Sequence, residues 1–243
     1  MTLENPLADR TRIKICGLTR EQDVDTAVAA GADAIGLVMY PRSRRFVTAA
    51  RAAQLARRLP PFVTPVLLFV NEAPEQVIAA CDQVGHALVQ FHGDETPEQC
   101  LAATRNGARP FIRAARIPLN SQVQFNLLEF AARFAHAQAI LLDAHVEGYG
   151  GGGKPFNWSL LPPSAGCHLV LSGGLTPANV TDGIVQVRPR CKTLAVDVSS
   201  GVELDGSGHE GLKDPDKINQ FVAAVRAADA LLSQSTHALL STT

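Results

Sequence analysis

HLVLSGGLTPANVTDGIVQVRPRCKTLAVDVSSG, residues 168–201, holds two short apolar runs with a helical pattern between them. The runs, His168–Ser172 and Thr193–Val198, are rich in Leu and Val and end in polar or glycine residues, as buried parallel strands do. Thr176-Pro177 supplies a cap and a first-turn proline for the helix that joins them. The stretch therefore reads as one strand–helix–strand unit.

Six further runs of the same kind precede it: Arg12–Cys16, Ala34–Val38, Val63–Val70, Ala87–Phe91, Pro110–Ala114 and Ala139–Asp143. Helix signals fall between them. Thr48 precedes AARAAQLARRL, which stops at Pro60-Pro61, and Thr96-Pro97-Glu98-Gln99 combines an N-cap, a proline and a capping-box glutamine. Asp214-Pro215 opens a last helical stretch, and Gly31 and Gly107 stand where C-caps are needed. Eight strand–helix repeats predict right-handed parallel units closed into a single (β/α)8 TIM barrel over residues 1–243. Its core spans about 12–228, with 1–10 and 233–243 as peripheral tails, the second frayed. The open doubly wound sheet is the alternative, but no G-x-G-x-x-G follows the first strand.

Composition narrows the function. A net charge of −1 without a basic half disfavours nucleic acid as a partner. The cluster Arg42, Arg44 and Arg45 is large enough for one small anion. Five scattered cysteines without a C-x-x-C pair argue against disulfides or zinc and fit a reducing cytoplasm. The N-terminal MTLENPLADR lacks the apolar core of a secretory signal, and no run reaches the roughly 18 apolar residues of a membrane span.

In such a barrel the chemistry sits at the C-terminal strand ends. Cys16, Arg45, His92 and Asp143 all fall there. So do two glycine–serine turns, Ser172-Gly173-Gly174-Leu175 and Asp197-Val198-Ser199-Ser200-Gly201, whose backbone N–H groups suit a phosphate. Lys14 beside Cys16 is expected to favour the thiolate. Lys14 and Asp197, on the first and last strands, are expected to pair inside the barrel one layer below the site. Residues 144–154, with five glycines, read as a lid.

The segments KICGLT (14–19), GADAIGLVMYPRSRR (31–45), VQFHGDE (89–95), YGGGGKPFNW (149–158), LSGGLTPANV (171–180) and DVSSGVE (197–203) resemble the phosphoribosylanthranilate isomerase family of tryptophan biosynthesis. The resemblance covers residues 12 to about 228. Phe91 replaces a usual leucine, Met39 a common aromatic, and LDGSGHEGLKD (204–214) varies a proline–glycine loop. It implies an Amadori rearrangement of an aminoaldose phosphate, with Cys16 as general base and Asp143 as general acid. By the same resemblance Arg45 takes the anthranilate carboxylate. The phosphate falls to the backbone N–H groups of Gly174, Ser199, Ser200 and Gly201, with Gly173 and Asp197 alongside and Gln90 and His92 on the same rim. No cofactor or metal is implied, the partner is a small phosphorylated molecule, and both monomer and homodimer stay open. A metal-dependent sugar-phosphate epimerase, using His92 and Asp143 as ligands, and a non-enzymatic phosphate-binding barrel are the alternatives.

Overall fold

The structure, a computed structural model, describes residues 10–119, 125–145 and 156–240. Eight parallel strands close into a barrel in sequence order. They are β1 (Arg12–Cys16), β2 (Ala34–Val38), β3 (Thr64–Phe69), β4 (Leu88–Phe91), β5 (Phe111–Pro118), β6 (Ala139–His145), β7 (Leu169–Leu171) and β8 (Leu194–Val198). β8 pairs back onto β1, with Lys14 opposite Asp197. All eight strands match the sequence reading to within a few residues at their ends.

The strands alternate in what they face, as a pleat of period two requires. Ile13, Ile15, Ile35, Leu37, Leu67, Phe69, Val89 and Phe91 point outward and are buried under the helices in one large cluster. The opposite parity fills the barrel. Ile112, Ala114, Leu141 and Val170 pack one group, and Cys16, Val38 and Leu68 another at the site end.

The helices are α1 (Glu21–Ala30), α2 (Ala49–Ala56), α3 (Pro74–Val84), α4 (Pro97–Ala103), α5 (Leu127–Arg133), α6 (Val180–Val187) and α7 (Pro215–Leu240). Local caps act where the sequence placed them. The Thr48 side chain accepts from Arg51 N, and Thr96 and Gln99 form a reciprocal capping box. The Asp214 carboxylate accepts from the backbone of Asp216 and Lys217 at the start of α7.

Three features differ from the sequence reading. α6 begins at Val180, three residues after Pro177, because Asn179 folds the intervening segment into a turn. Its Oδ1 accepts from Thr176 N, and its Nδ2 donates to the Gly174 carbonyl. Between β6 and β7 the described residues hold a single 3-10 turn, Trp158–Leu160, where a full helix belongs by repeat. Leu161 is extended before Pro162-Pro163, which cannot continue a helix. Finally, α7 runs to Leu240 across most of the stretch read as a frayed tail. Its inner face buries Ile218, Phe221, Val222, Val225 and Ala228 at helical spacing. No helix among the described residues is long and apolar enough to cross a membrane. The proposed lid falls largely on residues 146–155, outside the described residues.

Candidate active site

A cavity of about 540 Å³ opens at the C-terminal ends of the strands. Cys16, Arg45, His92, Asp143, Gly173, Gly174, Asp197, Ser199 and Ser200 all line it. Cys16 on β1 and Asp143 on β6 thus face one space. Two of the expected contacts do not line the cavity. Gln90 is wholly buried behind His92, with its Nε2 2.9 Å from His92 Nδ1. Gly201 packs behind the last turn, where a Cβ would sit 1.9 Å from the Leu175 carbonyl oxygen. Both therefore shape the site from behind. Arg42 and Arg44 are exposed at the cavity mouth, and Arg44 reaches Glu210 at 3.6 Å.

Cys16 rests on a charged floor. Lys14 Nζ donates to Asp197 Oδ1 at 2.8 Å, with both side chains almost fully buried, as their positions on β1 and β8 predicted. Ser172 Oγ donates to the other Asp197 oxygen at 3.3 Å. Gly36 of β2 lies opposite Cys16 and leaves room for the thiol. A Cβ there would come within 2.5 Å of Sγ and 3.0 Å of Lys14 Nζ. Burial would lower Lys14, but the charge and hydrogen bond of neighbouring Asp197 oppose it, and Lys14 lies above the usual lysine range. Cys16 differs from expectation. Burial pushes the thiol upward, and neighbouring Lys14 offsets only part of that. The resting group is a thiol, because removing water from a thiolate costs more than one cation, itself shared with Asp197, returns.

Asp143 is held by its neighbour. His92 Nε2 lies 2.9 Å from Asp143 Oδ2, within direct hydrogen-bond distance. Among the described residues no group of three or more His, Cys, Asp or Glu could hold a metal ion. Gly173, with φ of 76°, gives the chain a left-handed bend beside this carboxylate, where a Cβ would sit 2.7 Å from Asp143 Oδ1. The turn carrying His92 is tied down by Arg113 of β5, whose buried guanidinium donates to the carbonyls of Phe91, Gly93 and Glu95. Phe134 stacks beneath it at 4.9 Å. Sequence reasoning passed over Arg113, although an arginine inside the apolar run FIRAA was the available signal.

The phosphate-type turns stand side by side. Gly173 and Gly174 both have positive φ, a conformation that turns successive N–H groups toward one point. Ser199 Oγ donates to the Cys16 carbonyl at 3.1 Å and so links the β8 turn to the thiol's own backbone. Arg45 crosses Gly17, where a Cβ would lie 2.4 Å from its Cδ, and is gripped by Glu203. Glu203 and Lys213, which meet in an isolated antiparallel bridge, are site residues that sequence reasoning missed. Glu203 closes the segment DVSSGVE and Lys213 falls in LDGSGHEGLKD, but neither stands at a strand end, where reactive residues are sought.

A closed β/α barrel that gathers a thiol, a carboxyl with its imidazole and two phosphate-type turns defines an acid–base enzyme of the isomerase kind. A family model for N-(5'-phosphoribosyl)anthranilate (PRA) isomerase matches residues 13–224. The N-(5'-phosphoribosyl)anthranilate isomerase of Leptothrix cholodnii is 62% identical over 221 residues, covering 91% of this chain and 93% of that protein. The solved phosphoribosyl anthranilate isomerase of Thermotoga maritima superposes with a TM-score of 0.76 at 39% identity, covering 89% of this chain and 99% of that one. A further solved isomerase, in complex with reduced 1-(o-carboxyphenylamino)-1-deoxyribulose 5-phosphate, gives 0.73 at 37% identity over the same shares. The chain belongs to the phosphoribosylanthranilate isomerase family and is an isomerase.

Proposed function

We propose that Cys16 and Asp143 carry out the family's Amadori rearrangement on N-(5-phosphoribosyl)anthranilate, the aldose-to-ketose step of tryptophan biosynthesis. The observation that carries this reading is one cavity shared by both side chains, with the Gly173-Gly174 and Ser199-Ser200 turns on its wall. The furanose opens when a proton reaches the ring oxygen. Asp143, whose Oδ2 lies 2.9 Å from His92 Nε2, is the group assigned to deliver that proton. Opening leaves an iminium, which acidifies the sugar C2 proton. Cys16 removes that proton as thiolate, and the enolamine tautomerises to the ketone. Substrate and product are isomers, so no net oxidant or reductant enters.

The phosphate is assigned to the backbone amides of Gly173, Gly174, Ser199 and Ser200. Arg45 takes the anthranilate carboxylate, for which a planar guanidinium is suited. The five cysteines are all free, which supports a cytoplasmic setting. Purified protein mixed with phosphoribosylanthranilate should abolish the substrate's fluorescence with time. Cys16→Ala and Asp143→Asn should each slow kcat by about 10²–10⁴-fold, the usual worth of a positioned acid or base. Undiminished turnover in either folded variant removes that residue from the mechanism.

A further inference from the structure

Behind Arg45 stand two charged side chains that the acid–base steps do not use. Arg45 Nε donates to Glu203 Oε1 at 2.6 Å and Nη2 to Oε2 at 3.1 Å. Lys213 Nζ donates to the same Oε1 at 3.0 Å, to the Ser199 carbonyl at 3.0 Å and to Ser199 Oγ at 3.4 Å. Gly211 N–H adds a fourth donor to the Glu203 carboxylate at 3.2 Å. The Lys213 side chain is wholly buried, and that of Glu203 is 10% exposed. Burying three charges together is costly and is no efficient way to stabilise a loop, since apolar residues of similar volume do as well.

The geometry shows what the arrangement is good for. A guanidinium presents two forks, one along Nε and Nη2 and one along Nη1 and Nη2. Glu203 fills the first. Nη1 makes no hydrogen bond among the described residues, and Arg45 lines the cavity, so the second fork is left for a ligand. Two cations and one anion leave a net charge of +1 at this corner. Three acceptors around Lys213 Nζ match the three protons of an ammonium; burial pulls it below the usual lysine range, and the charge and hydrogen bond of Glu203 offset part of that. Burial would raise Glu203, but the hydrogen bonds from Arg45 and the charge of Lys213 hold it down to about 2.

We propose that Glu203 and Lys213 are positioning residues that set substrate specificity. They fix Arg45 so that it offers one planar fork and one net positive charge to a single aryl carboxylate. This rests on the assignment of Arg45 above. The pair would then make the enzyme prefer an aminoaldose carrying an ortho-carboxyaryl group over the same sugar on plain aniline.

The test compares kcat/KM for N-(5-phosphoribosyl)anthranilate with that for N-(5-phosphoribosyl)aniline. Because both substrates carry the phosphate, their ratio cancels any disturbance of the phosphate turn through Ser199. Glu203→Gln/Lys213→Met keeps the corner at +1 but removes the anchoring fork. The ratio should fall about tenfold or more, through a higher KM for the carboxylated substrate, as expected for a mispositioned binding group. Glu203→Asp keeps every charge, shortens the arm, and should lower the ratio in the same direction. It alone decides if the double variant does not fold. Arg45→Met separates the two claims. A ratio lost in Arg45→Met but unchanged in the folded Glu203 variants overturns the positioning role alone. A ratio unchanged in Arg45→Met overturns the carboxylate assignment and the proposal with it.

Discussion

Lys14 and Asp197 meet at 2.8 Å across the seam where β8 closes onto β1, two residues below the reactive thiol. The pair is buried, so its members are worth more together than either is alone. Removing one leaves an uncompensated charge, which typically costs about 3–5 kcal/mol. Lys14→Met should therefore lower the midpoint of urea unfolding sharply. Lys14→Met/Asp197→Leu should recover much of that stability while kcat stays low. Equal stability of the wild type and Lys14→Met would show that Asp197 finds another partner.

The raised Cys16 thiol gives a pH dependence with a definite sign. Burial favours the neutral form, so at neutral pH only a minority is thiolate, and that fraction grows with pH. The value of kcat should climb from about pH 7 to about pH 9, by up to tenfold per unit while thiolate is the minority form. Cys16→Ser should leave a lower, flatter profile. A wild-type profile that is already flat over this range would mean the thiol is ionised at rest or is not the base.

Gly36 makes a steric prediction. A methyl group at that position would press on both Cys16 Sγ and Lys14 Nζ. Overpacking typically costs about 1–3 kcal/mol, which a barrel of this size should survive. Gly36→Ala should stay folded by circular dichroism yet lose about 10²-fold in kcat, with KM nearly unchanged, because misplacement of the base is the main injury. Retained kcat in the folded variant would mean that the thiol has freedom to move aside.

His92 and Gln90 act on the acid in series. His92→Ala removes the group 2.9 Å from Asp143 and should cut kcat by about 10–10²-fold. Gln90→Leu leaves His92 present but loses the contact at Nδ1, so a smaller loss of the same kind is expected. Steady-state kinetics should place both effects in kcat. A rise confined to KM would instead make His92 a substrate contact.

Acid should loosen the Arg45 corner. The Glu203 carboxyl titrates near 2 when folded, against an ordinary value of 4.5. A lowered folded value means that its stabilising contribution is present above about 4.5 and disappears as pH falls toward 2. The Tm of the wild type should drop between those limits more than that of Glu203→Gln/Lys213→Met, as followed by thermal melts at several pH values. Parallel curves would remove Glu203 from the acid response.

Strand parity, proline and threonine caps, and glycine–serine turns are settled within a few residues of chain. The eight strands, the barrel and the two phosphate-type turns were therefore readable from residues alone. Even the Lys14–Asp197 pair was legible, because closure makes the first and last strands neighbours and both residues are charges inside apolar runs. Other features depend on how distant segments meet. Glu203 lies 158 residues from the arginine it grips, and Gln90 stands behind His92 because the register of β4 buries it. The direction of the Cys16 shift is a balance between desolvation and a shared cation, which sequence proximity to Lys14 could not weigh. Local pattern determined the scaffold and the reactive groups, while tertiary packing decided their partners and protonation, since desolvation and long-range ion pairs exist only once the barrel has closed.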